Sequence, residues 1–356
     1  MSTLRVTVEE LTVHEHPNAD ALELAQVGLY RAVIAKGAYQ TGEFALYIPE
    51  QAVLPAALIE ELGLTGRLSG SAADRVKAVR LRGELSQGLV CRPRALADVD
   101  LAQAAKEGTD FAELLGITKW APPVPTTMDG DVEAAADLLP WVDVENLQRY
   151  PHIFEAGEPV VVTEKLHGTA CLFTYVVEEE RILVSSKGFG SKGLALKEDE
   201  RNVYWRAVRG HGVPAVAAAL AARLGATRVG IFGEVYGAGV QDLSYGTDVR
   251  TADTPPGYAV FDVSAEIDGQ VRWLDAAVED GELPLVPRLY EGPYDLGTVL
   301  ELASGRETVS GREVHLREGV VIRSSTERYS PVVGGRAIAK AVSPAYLTRK
   351  GGTEYE

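Results

Sequence analysis

The residues with the clearest chemical potential stand together at Glu164-Lys165-Leu166-His167-Gly168-Thr169, just after the strand-like run Val160-Val161-Val162-Thr163. A lysine that closes a strand and precedes a tight turn at Gly168, followed by a second strand, would sit where a hairpin points into a cleft. A lysine attacks only as the free amine, so its pKa of about 10.4 would have to fall through desolvation or a neighbouring cation, such as a metal ion or a second lysine. Taken alone the tetrad decides little, because a lysine before a turn is more often a solvated surface residue.

Later segments repeat one design, a strand-like run with a charged residue at its edge: Ser186-Lys187, Phe232-Gly233-Glu234, Phe261-Asp262-Val263, Glu318-Gly319-Val320 and Lys340-Ala341-Val342. Gly188-Phe189-Gly190-Ser191-Lys192-Gly193 has the formal glycine spacing of a dinucleotide fingerprint. The charged stretch after it offers neither the helix nor the second strand that such a fingerprint needs. A phosphate-side loop and a plain surface loop both remain open for it. No Walker-type GxxxxGK[ST] is present.

The elements that must position these groups fall into two parts. Residues 1 to about 95 read as five or so short strands with turns at His16-Pro17-Asn18, Lys36-Gly37 and Arg82-Gly83 and a short helix over Pro55–Leu62, the pattern of a small OB-type barrel. Residues 95–116 read as helical and 117–140, with Pro122, Pro123 and Pro125 and an acidic run, as a linker without regular structure. From 141 to 356 strands dominate, with a helix across Val213–Leu224, which fits antiparallel sheets flanking a cleft. The expected organisation is therefore α+β: an OB-fold β-barrel with a helical extension over 1–116, a linker over 117–140, and a domain of antiparallel sheets with flanking helices over 141–356.

Composition narrows the classes. At 356 residues and 46% apolar, the chain can fill more than one core. Its longest apolar run, near Pro214–Ala222, is far below the ~20 residues that span a bilayer, and Met1–Val13 lacks an export signal, so a cytoplasmic protein without membrane association is expected. Two cysteines and six scattered histidines argue against disulfides and structural zinc. A net charge of -16 argues against a general nucleic-acid coat protein. Between Arg67 and Arg94, however, seven basic residues face only two acids. Arg75, Lys77, Arg80 and Arg82 in that stretch are candidate nucleic-acid contacts, although solvated surface charge is the competing reading.

The order of charged strand edges from 165 to about 347 resembles the covalent nucleotidyltransferase superfamily of polynucleotide ligases and mRNA capping enzymes, whose motifs I, Ia, III, IIIa, IV and V run in that order. Lys-x-His-Gly, rather than the Lys-x-Asp-Gly of DNA ligases and capping enzymes, looks like RNA ligases. His16-Pro17-Asn18-Ala19-Asp20 and Arg80–Val90 resemble OB-fold tRNA-binding modules, and an OB domain ahead of such a domain looks like the Deinococcus-type RNA ligase family. The resemblance implies an ATP-dependent RNA ligase using Mg2+ or Mn2+ and sealing 3'-OH/5'-phosphate breaks, with a preference for nicked duplexes bearing RNA on the 3'-OH side. It also implies a monomer with ATP and RNA as partners. A DNA ligase, a capping guanylyltransferase and a non-catalytic tRNA-binding protein are the alternatives.

Carried over by position, the resemblance makes Lys165 the nucleophile that forms lysyl-AMP. It places Glu164 beside the adenine amino group, Leu166, His167 and Gly168 beside the nucleotide, Lys187 near ribose or phosphate, and Glu234 at the ribose hydroxyls. Phe261, or else Tyr258, would stack on adenine. Glu318 would be a metal-associated carboxylate, with Glu234 as its partner, and Lys340 an α-phosphate contact. Relatives carry Lys-x-Lys in the last motif, whereas Ile338 stands two residues before Lys340 here; Arg336 or Lys350 is expected to substitute for the missing cation.

Overall fold

The computed structural model describes residues 4–141, 143–248, 250, 254–275 and 283–354. The chain divides into two compact units, one reaching to Ala121 with Glu145–Pro151 added, the other comprising Pro122–Val144 and His152–Glu356. No helix among the described residues is long and apolar enough to cross a membrane.

In the N-terminal unit, Thr7–Glu10, Phe44–Ile48 and Leu89–Cys91 form one antiparallel sheet, and Thr12–Glu15, Leu22–Val27 and Tyr30–Ala35 another. Val6, Val8, Leu46, Ile48, Leu54, Leu58 and Phe111 fill its core. A further hairpin joins Val79–Leu81 to Glu84–Ser86 through Arg82 and Gly83, both at positive φ, the two-residue turn whose twist suits paired strands. The expected helix over 95–116 is shorter. Leu101–Glu107 is helical, capped by the Asp100 side chain accepting from Gln103 N at 3.0 Å, and it stops at Gly108 in the left-handed region.

Among its described residues the second unit contains two large sheets, besides the short pair Tyr329–Ser330 with Gly335–Arg336. One runs in the spatial order Val132–Ala134, Leu194–Leu196, Arg181–Ser186, Thr169–Val176, Arg228–Tyr236, Gly257–Ile267, Gln270–Leu274, with antiparallel pairings throughout. Helices Val203–Gly210 and Val213–Leu224 bury Tyr204, Trp205, Val208 and Leu220 in the same core as Phe173, Val229 and Ile231 of this sheet. In the other sheet Ile338–Val342, Gly319–Ser324, Pro159–Lys165 and Arg288–Pro293 lie side by side in that order. An antiparallel α+β architecture is thus what the strand patterning led one to expect, and it leaves no place for a dinucleotide-binding fold. Lys187–Gly190 is a single helical turn after a strand, capped by Ser186.

Two expectations fail here. The stretch 117–140 is not structureless: Val132–Ala134 is the edge strand paired with Leu194–Leu196, and Met128 is fully buried. The prolines confine irregularity to a few residues and leave the apolar ones free to join the core. Nor do Pro159–Lys165 and Thr169–Val176 form a hairpin. They belong to different sheets, and residues 166–168 carry the chain from one to the other. Gly168 passes so close to the neighbouring strand that a Cβ there would stand 2.1 Å from the Val235 carbonyl oxygen.

Candidate active site

Lys165 is the last residue of its strand and faces Gly319 in register, which puts Glu318 beside it; Lys165 Nζ donates to Glu318 Oε1 at 2.8 Å. Across the gap between the sheets, Ala170 pairs with Glu234, and Cys171 pairs with Ser186, the residue before Lys187. Ile338 and Lys340 alternate with buried neighbours along the same strand and therefore share a face. Lys165, Lys187, Glu234, Phe261 and Lys340 line one cavity of about 200 Å³, which Leu166 and Gly168 also border.

Two wall residues carried no motif in the sequence. Trp141 meets Phe261 at 5.1 Å between ring centroids, and Asp143 lies 3.8 Å from Lys187 Nζ and 3.5 Å from Lys340 Nζ. Both stand just after the segment read as linker, where no periodicity announces a cavity wall.

Other anticipated residues lie elsewhere. The Glu164 carboxylate points away from the amine of Lys165, as strand alternation requires. Its Oε2 accepts from Thr308 N at 2.9 Å and Thr308 Oγ1 at 2.6 Å and faces Arg317 at 3.6 Å, its Oε1 is buried without a hydrogen-bond partner, and the residue borders the cavity. The His167 ring is turned from the cavity into a cluster with Asp242, Tyr346 and Arg349. Tyr258 is fully buried and packs beneath Gly233. Arg336 is committed to Asp262, at 2.7 and 3.0 Å, and to Glu327, and lies over the Trp273 ring; Lys350 is exposed. Neither lines the cavity that Ile338 and Lys340 border. Arg323, the cross-strand partner of Ile338, borders the cavity instead, with its guanidinium on Asp262 and the Phe261 carbonyl.

In the N-terminal unit, Arg80 and Arg82 are exposed on the hairpin and Lys77 is half-buried. Arg75 departs from the expected basic strip. It is 7% exposed, its guanidinium stacks 3.4 Å from the Trp120 ring centroid, and it donates to Gln51 at 2.8 Å.

The electrostatics of the cavity are those of interleaved opposite charges. Burial pulls the Lys165 pKa down, but the charges of Glu318, Glu234 and Asp143 and the hydrogen bond to Glu318 outweigh it, so the amine stands above its ordinary value. Burial pushes Glu234 up to about 8, assisted by Glu318 and opposed by Lys165 and Lys187. The protein's own groups therefore keep Lys165 an ammonium, and the expected lowering has to come from what binds there. Glu318 retains a buried Oε2 with no hydrogen-bond partner, an orphaned ligand atom of the hard oxygen type that Mg2+ and Mn2+ favour. No group of three or more His, Cys, Asp or Glu among the described residues is arranged to hold a metal alone. The donor set suits a cation that completes its coordination with phosphate oxygens and water.

A family model of RNA ligase matches residues 158–342, and a model of an OB-fold domain matches residues 5–93. Comparison with curated proteins gives no match. Among solved structures, a variant of Naegleria gruberi RNA ligase in its apo form superposes with a TM-score of 0.76 at 23% identity, covering 98% of each chain. A variant of the same ligase with AMP and Mn gives 0.75 at 23% identity, over 97% of this chain and 98% of that one, and another with ATP and Mn gives 0.74 at 23%, over 96% and 98%. These structures share the fold of both units. The matched stretch holds Lys165, Lys187, Glu234, Phe261, Glu318 and Lys340 and covers more than half of the sequence, and on that ground the chain belongs to the RNA ligase family.

Proposed function

We propose that the protein is an ATP-dependent RNA ligase that joins 3'-OH and 5'-phosphate ends, with nicked duplexes bearing RNA on the 3'-OH side as substrate, through a lysyl-AMP and an RNA-adenylate. The observation that carries this reading is the convergence of Lys165, Lys187 and Lys340 with Glu234 on one cavity, with the amine of Lys165 bonded to Glu318. The neighbours solved with ATP and Mn point to the same nucleotide.

In the first step Lys165 Nζ attacks the α-phosphorus. A P–N bond forms, the α–β bridging P–O bond breaks, and pyrophosphate leaves with the bonding electrons. The ammonium must first shed a proton, and Glu318 at 2.8 Å is the acceptor in reach. Lys187 and Lys340 offset charge on the phosphates, a task of positioning and electrostatics rather than covalent chemistry. Phe261 and Trp141 offer flat apolar surface for a base. A divalent cation would be held by Glu318 Oε2 and Glu234, and when bound it supplies positive charge that lowers the proton affinity of the lysine and stabilises the phosphate oxygens. In the second step an oxygen of the RNA 5'-phosphate attacks the α-phosphorus, the P–N bond breaks, and Lys165 recovers its proton. In the third the 3'-OH attacks the adenylated phosphate, losing its proton as AMP departs.

Incubation with α-labelled ATP and Mg2+ or Mn2+ tests the reading. A covalent adenylate that maps to Lys165, disappears in Lys165→Ala and is discharged by RNA with a 5'-phosphate is the expected result. Absence of any adduct from the unaltered chain with either metal overturns it.

A further inference from the structure

The turn that follows Lys165 is gripped from behind by residues to which no role has been given. His167 N donates to the Tyr245 hydroxyl at 2.7 Å, and the Gly168 carbonyl accepts from Gln241 Nε2 at 3.1 Å. His167 Nε2 lies 2.7 Å from Asp242 Oδ1, and the Tyr346 hydroxyl lies 2.7 Å from Nδ1. Arg349 donates to both Asp242 oxygens at 3.0 Å and stacks 3.7 Å from the Tyr346 ring centroid. Thr353 N closes the cluster on Asp242 Oδ1 at 2.8 Å, and Leu166 packs against Leu243, Tyr245 and Tyr346. Burial opposes ionisation of Asp242, but the hydrogen bonds from His167, Arg349 and Thr353 hold its carboxyl well below the usual range. An ionised Asp242 accepts Nε2–H, which leaves Nδ1 to accept from Tyr346, so both ring nitrogens are used and a single ring orientation satisfies them.

The backbone between Lys165 and Thr169 belongs to neither sheet, so sheet pairing does not fix it. Its placement falls to this cluster, which residues 241–245 and 346–353 supply together. We propose that Asp242, Tyr346 and Arg349 are positioning residues that act through His167, clamping the turn so that the amine of Lys165 is presented to the α-phosphate. The proposal rests on the lysyl-AMP reading above. It predicts a selective defect, because Lys165 reacts when the enzyme is adenylated but takes no part in sealing an RNA whose 5' end already carries AMP.

The test compares the full-length chain with Tyr346→Phe, which removes one hydroxyl and keeps the ring, and with Asp242→Asn and Arg349→Met. Two rates are measured: single-turnover lysyl-AMP formation across ATP concentrations, and sealing of a pre-adenylated nick. The expected result is adenylation at saturating ATP slowed on the order of ten- to a hundredfold, as sub-ångström misplacement of a nucleophile costs, with KM for ATP and pre-adenylated sealing unchanged within about twofold. Equal loss of both rates in Tyr346→Phe, or no loss of adenylation in any variant, overturns the clamp. An unaltered chain that forms no adduct overturns the nucleotidyl-transfer reading beneath it and the clamp with it.

Discussion

The lysines of the cavity and the arginines of the hairpin at 79–86 carry the same charge and are held in opposite ways. Lys165, Lys187 and Lys340 are only 25, 30 and 21% exposed at the side chain, and each faces a carboxylate within 4 Å, Glu318 for the first and Asp143 for the other two. Arg80 and Arg82 stand in solvent, and Arg80 donates to the Gly83 carbonyl of its own turn. Charges locked in one geometry can stabilise a particular set of phosphate oxygens, whereas charges on mobile side chains in water contribute to polyanion affinity additively and are screened by salt. Chemistry should therefore be lost steeply at the cavity and binding gradually at the hairpin.

That contrast can be broken at several points. The largest effect is expected from Lys165→Ala, which should reduce adenylate formation to background while leaving RNA affinity intact, as a gel-shift assay would read. Next, Glu318→Gln removes the proton acceptor and the orphaned oxygen, and should slow adenylation on the order of a hundredfold or more in a single-turnover assay. The pH profile follows. Glu234, raised to about 8, is neutral below that value and ionised above it, and Lys165, raised as well, loses its proton in the same direction. Adenylation should climb between about pH 7 and pH 9, and Glu234→Gln should flatten the lower part of that rise. A smaller effect is expected at the hairpin. Arg80→Ala with Arg82→Ala should weaken RNA binding several-fold and reduce the slope of log affinity against log salt by about two, with the rate of adenylation unchanged. The smallest, and the sharpest for the comparison, is Arg75→Met. Its guanidinium lies on Trp120, so it should cost about 1–2 kcal/mol of stability in denaturant unfolding and leave the salt slope alone. A drop in that slope would return Arg75 to the RNA-binding surface.

These residues also show where sequence reading runs out. The antiparallel α+β architecture was legible because strand runs and turn glycines are local signals. Lys165, Lys187, Glu234, Phe261 and Lys340 were grouped in one site because the order of their strand edges resembles the motif order of the nucleotidyltransferase superfamily. What a strand does to adjacent side chains was not carried through: Glu164 and Lys165 must point to opposite faces, and Oε2 of the Glu164 carboxylate ends on Thr308. Arg75 looked like surface charge because its partner, Trp120, lies 45 positions away in a segment with no period. His167 occupies a crossing turn, where neither alternation nor helical spacing indicates direction, and its partners Asp242 and Arg349 are distant in sequence.

One feature of the topology bears on synthesis of the protein. The strand that ends at Lys165 is flanked by Arg288–Pro293 on one side and Gly319–Ser324 on the other, segments translated more than a hundred residues later. While the ribosome is still making those segments, the lysine lacks Glu318 and both of the strands that flank its own. A product truncated before Arg288 would therefore lack both strands that flank the Lys165 strand and the carboxylate that holds its amine.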